Sequence, residues 1–165
     1  MISFFRKKGP KFSDEEFSDL SLMLTQDSQN QTYKRELLNA EKLDFSLESL
    51  RHIDEYLEHI HKNPPEGNDF IRLVLRCGAY VGEVIRKHSN KQLHWVSYEE
   101  AAKHSESARK LEYTVASAGI LFHEPESMSF PLGKVCKFIE NGNEDSVYFF
   151  AKVLLERDAE KGNAL

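Results

Sequence analysis

Residues 70 to 87, FIRLVLRCGAYVGEVIRK, restrict the possible folds more than any other stretch of this chain. Val74, Cys77, Val81 and Val84 recur on one helical face. Ile71, Leu75, Gly78, Gly82 and Ile85 fall on the adjacent one. An apolar arc this wide predicts a helix with little surface in water, around which the other elements pack. Gly78 and Gly82 share a flat strip of that helix. Glycine inside a helix costs about 1 kcal/mol relative to alanine, so close approach by another element is the expected compensation. The remaining stripe holds Arg72, Arg76, Ala79, Glu83 and Arg86, bordered by Tyr80. Glu83 reaches Arg86 and Lys87 at helical spacing.

The rest of the chain reads as satellites of this helix. Ser13 and Glu16 fit a capping box, with Phe12 placed to staple onto Phe17, so a first helix starts there. A short helix is expected through Leu37 and Leu38. From Ser46, the residues Leu47, Leu50, Ile53, Leu57 and Ile60 form one stripe opposite Glu48, Arg51, Asp54, Glu55 and Glu58, which predicts an amphipathic helix. Asn63-Pro64-Pro65-Glu66-Gly67 ends it. Lys91 to Val96 reads as a strand with Leu93 and Trp95 on one face. Ser97 and Glu100 can cap a short helix or sit in a loop. Thr114 to His123 reads as a second strand, interrupted by Gly119, that pairs with the first. Pro131 opens another helix, Asn141-Gly142 stops it, and Asn143 caps a last one with Glu144 and Asp145 in its first turn.

The expected fold is therefore α+β: mainly helical, with about five or six helices around the central one and a small antiparallel β-hairpin. Its 165 residues suit one globular domain, expected over 13–156, with a flexible arm at 1–12 and a flexible tail at 157–165. The hydrophobic share of 40% and charged share of 30% belong to folded rather than disordered chains. A net charge of −5, with basic residues interleaved among acidic ones, argues against nucleic acid as a partner. No stretch has the length of apolar sequence that a membrane span needs. The opening MISFFRKKGP lacks the pattern of a secretory signal, so a cytoplasmic protein is expected. Whether its basic residues touch a membrane surface is left open. Cys77 and Cys136 both sit in apolar helical patterns and read as reduced, packed thiols.

No phosphate-binding loop, dinucleotide fingerprint, zinc-protease motif, nucleophile elbow or paired Cys-x-x-Cys occurs, so no cofactor is expected and the reading leans away from an enzyme. His52, His59 and His61 lie close in sequence. Two helical turns separate the first two, and the last two point to different sides, so no metal site is expected.

Three stretches carry a resemblance: GAYVGEVIRK from Gly78 to Lys87, the strand residue Trp95, and FPLGKVCKFIENGNEDSVYFF from Phe130 to Phe150. Together they resemble a group of uncharacterised bacterial proteins in which a Gly-Ala-Tyr-x-Gly-Glu-Val helix precedes a hairpin with a tryptophan and a closing helical pair. The resemblance implies a fold and is nearly silent on activity. By analogy, small acidic proteins of this kind look like immunity or accessory proteins encoded beside toxins.

The leading functional expectation is a non-enzymatic protein-binding module, in the immunity form a cytosolic protein that neutralises a bacterial toxin. Its acidic surface would cover a basic groove through Asp54, Glu55, Glu58, Glu99, Glu100 and Glu106. The alternative is a small enzyme or ligand binder whose pocket gathers Arg76, Tyr80, Glu83, His94 and Trp95. A third is an oligomeric scaffold assembled through Gly78 and Gly82. The partner's identity and the oligomeric state do not follow from the sequence.

Overall fold

The computed structural model describes residues 10–123 and 127–162. Among them, seven α-helices and three strands follow in order: α1 (Asp14–Leu22), α2 (Leu50–Lys62), α3 (Gly67–His88), β1 (His94–Ser97), α4 (Tyr98–His104), the single turn α5 (Glu106–Arg109), β2 (Gly119–His123), β3 (Ser127–Ser129), α6 (Pro131–Asn141) and α7 (Val147–Gly162). This is a mainly helical α+β architecture around a small antiparallel sheet. The central helix lies where its apolar arc required. From Leu73 to Ile85 only Leu75 and Glu83 escape full burial, and α1, α6 and α7 all pack on α3. Gly78 and Gly82 are explained by what touches them. A Cβ on Gly78 would lie 2.8 Å from the Leu132 Cα in α6, and one on Gly82 would lie 2.0 Å from the Trp95 ring.

The strands run in the order β1-β2-β3, with Trp95 opposite Leu121 and Leu121 opposite Ser129. Trp95 and Leu121 face the main core with α3. Val96, Ile120 and Phe122 face a second, smaller cluster closed by Ala101 of α4 and Ala108 of α5. The Ser97 hydroxyl accepts from the Glu100 N–H and starts α4, which resolves that segment as helix rather than loop.

Several local expectations are corrected. The hairpin is a three-stranded sheet, because Ser127–Ser129 adds to β2. Residues 115–117 form a 3-10 turn and not the start of a strand. The Ser117 hydroxyl accepts from the Thr114 N–H and donates to the Glu112 carbonyl, which curls the chain before Gly119. The Ser13 capping box does not form. The Ser13 N–H goes to the Trp95 carbonyl, and Phe12 stacks on His94 while Phe17 stacks on Trp95, so the staple between the two phenylalanines is replaced by contacts to β1. Of the expected arm, residues 1–9 lie outside the described residues, but the Lys11 N–H is held by Glu100. The expected tail is helical as far as Gly162, with Asp158 accepting from Ser89 and paired with Lys91; residues 163–165 lie outside the described residues. Residues 143–145 form a 3-10 turn, and α7 begins at Val147 with a carboxylate from α2 at its N-terminus.

Candidate functional site

Three of the expected pocket residues meet. The α3 helix delivers Glu83 and Arg86 one turn apart, and β1 delivers His94 and Trp95. Glu83 Oε1 accepts from the Trp95 indole N–H at 2.7 Å and from Arg86 Nη1 at 2.7 Å. Asp14, the first residue of α1, completes the group. Its carboxylate accepts from the Trp95 backbone N–H at 2.6 Å, lies 2.7 Å from His94 Nδ1 and meets Arg86 Nη2 at 3.3 Å. Arg86 Nε donates to the Leu93 carbonyl. Each polar group here is answered by another, and the Glu83 and Arg86 side chains are only 16% and 23% exposed. The network ties α1, α3 and β1 together. Beside it opens a cleft of about 530 Å³ lined by Ser18, Ser21, Glu83, Arg86, Lys87 and His94, among others.

Arg76 and Tyr80 do not join this group. Arg76 is buried and donates to the Asn30 carbonyl and to Thr32 Oγ1, bracing the loop after α1. Burial, then the neighbouring Arg72, lowers its pKa. The Tyr80 hydroxyl lies 2.8 Å from Ser49 Oγ and accepts from the Phe45 N–H, and burial raises its pKa. The shared helical stripe put these side chains on one line, but the partners that claim them come from different loops.

The acidic candidates divide in the same way. Asp54 accepts from the Val147 N–H at 2.7 Å, the Tyr148 N–H at 3.4 Å and Ser146 Oγ at 2.5 Å, so it caps α7 from α2. A carboxylate there satisfies orphan donors and meets the positive end of the helix dipole. Desolvation nevertheless raises its pKa. Glu100 holds Lys103 and the Lys11 N–H, and those hydrogen bonds, Lys103 first, lower its pKa. Glu55, Glu99 and Glu106 are exposed and Glu58 is half-buried. Glu55 pairs with His52, Glu58 with Lys62 and Glu106 with Lys110, all within one helical turn.

Sequence reasoning missed Asp14 as a member of the polar group, since it lies 80 residues from His94. It also missed an apolar groove of about 510 Å³ between α7, the first turns of α6, β3 and the 111–117 segment. Both cysteines are free thiols; burial raises the pKa of Cys136 to about 11 and raises that of the fully enclosed Cys77 still further. Among the described residues no three His, Cys, Asp or Glu side chains converge as metal ligands, and no helix is long and apolar enough to cross a membrane. Comparison with family models, curated proteins and solved structures finds no match to this chain.

Proposed function

We propose that this chain is a protein-binding module and not an enzyme. The observation that carries the reading is α7. Only Val147 and Ala151 of that helix are buried, Phe149 is 63% exposed, and Phe150 and Leu154 line the apolar groove. A large apolar side chain left in water and an open apolar groove on the same helix are features of protein-binding surfaces. The mutual satisfaction of Asp14, Glu83, Arg86 and His94 supports the same reading, because it makes that group a brace.

In its narrower form the partner is a toxin domain with a basic groove, met in the cytoplasm by Glu55, Glu58, Glu99 and Glu106. Co-expression with a toxic product of the neighbouring gene is expected to restore growth, and changing those four residues to glutamine is expected to weaken the protection. Growth arrest despite full expression of this chain sinks the immunity form.

The cleft beside Glu83 and His94 favours a second reading, a small-ligand site. A nuclear magnetic resonance screen with small carboxylic acids and amines tests it. Shifts centred on Ser18, Glu83 and His94 would support it, and an unresponsive cleft would remove it.

A further inference from the structure

The two edges of the sheet are treated differently. On β1, the Trp95 carbonyl accepts from the Ser13 N–H and the Trp95 N–H donates to Asp14, so both groups point away from β2 and α1 closes that edge. Antiparallel ladders alternate between hydrogen-bonded and non-hydrogen-bonded pairs. With Trp95–Leu121 a non-bonded pair, the backbone of Leu121 faces β3, Leu121–Ser129 is a bonded pair, and Phe122–Met128 is not. The N–H and C=O of Met128 therefore point outward from β3. Among the described residues no strand lies on that edge, and no turn or loop hydrogen bond reaches those two groups.

The strand also borders the apolar groove. Met128, Ser129 and Phe130 line it together with Phe150 and Leu154 of α7. A smaller hollow, also bordered by Met128 and Leu154, continues along the other side of the strand. A strand edge beside a groove walled by a helix provides main-chain hydrogen bonds and pockets for alternate side chains. Two lysines stand at the α6 end of the groove, which Glu112 also lines, and the charge of Asp145 is felt by both. Lys134 and Lys137 stand one turn apart; Asp145 answers Lys134 at 2.5 Å, while Lys137 is exposed and makes no salt bridge among the described residues.

We propose that an extended segment of another protein adds to β3 as a fourth strand, apolar at alternate positions and carrying an acidic residue at the α6 end. This rests on the protein-binding reading and names its mode. Met128 exchanges two backbone hydrogen bonds with the incoming strand, Phe150 and Leu154 receive its apolar side chains, and Lys137 meets its carboxylate.

The test uses random dodecapeptides displayed on phage and selected against the full chain, followed by synthetic forms of the enriched sequences. Enrichment of alternating apolar residues with a flanking Asp or Glu is expected, with amide shifts confined to Ser127–Phe130, the groove face of α7 and the α6 residues around Lys137. Met128→Pro deletes the outward N–H without touching the bonds to β2, and is expected to weaken binding about tenfold or more, as loss of backbone hydrogen bonds to a desolvated partner would. Lys137→Glu leaves the strand intact and is expected to weaken binding severalfold, less so at high salt. Absence of any enriched sequence overturns the proposal. So do peptides that bind both variants as tightly as the parent, or that shift residues elsewhere. Should Met128→Pro not fold, Lys137→Glu and the shift map decide alone. Binding that ignores the groove overturns this mode alone and leaves the protein-binding reading standing on another surface, while the co-expression assay separately judges its immunity form.

Discussion

Glu83 stands between an indole and a guanidinium, and its replacements separate the two roles. Glu83→Ala leaves the N–H of a fully buried tryptophan without an acceptor and Arg86 without its nearest counter-charge. Removing a buried acceptor costs about 1–3 kcal/mol, more when it is charged. Glu83→Gln keeps an acceptor for Trp95 and loses only the charge. Urea denaturation is therefore expected to rank parent, Gln and Ala in falling stability, and equal stability of Ala and Gln would show that the indole bond is immaterial. Asp54 and Asp145 make a second comparison. Burial holds the Asp54 carboxyl above the usual range, while Lys134 and then Asn141 hold Asp145 below it. The linkage has opposite signs. The stability tied to Asp145 is present above its unfolded pKa and lost as pH falls through its folded one. That tied to Asp54 is present below its unfolded pKa and lost as pH rises through its folded one. Carboxyl titration by nuclear magnetic resonance should place Asp54 above Asp145, and Asp145→Asn should flatten the loss of stability on acidification.

Between elements, Gly78 and Gly82 of α3 set how closely α6 and the sheet approach. Gly82→Ala drives a methyl into the Trp95 ring, which is held between α3 and Phe17. Gly78→Ala meets the backbone of Leu132 and can be accommodated only if α6 shifts away. Overpacking of this kind costs about 1–3 kcal/mol. Thermal unfolding is expected to show both losses, with a change in tryptophan emission for Gly82→Ala and little for Gly78→Ala. An unshifted spectrum in Gly82→Ala would mean that the ring has room the structure does not show. The same contacts explain why the glycines were legible early. Each costs helix stability where it stands, so each required a neighbour, though the helical spacing named neither Leu132 nor Trp95.

Across the fold, Cys77 sits at the centre of α3 with no exposed surface, and burial raises its pKa. Its alkylation should proceed only through global opening, in step with the denaturation of the chain, while the half-buried Cys136 reacts earlier. Comparable rates under native conditions would show that α3 is not the last element to open. That α3 is central follows from residue spacing. A stripe at i, i+3, i+4 and i+7 has one way to escape water, and the same local logic gave α2, α6 and the Trp95 strand, because every signal lay within a few residues. The candidate site was legible only in part. Glu83 with Arg86 is a helical spacing, but Asp14 reaches Trp95 across 81 residues and Asp54 reaches Val147 across 93. Which backbone groups β3 turns outward likewise depends on the register of all three strands. No local pattern encodes such pairs: a carboxylate's partner depends on which elements the core brings alongside it, and that is settled when the whole chain packs.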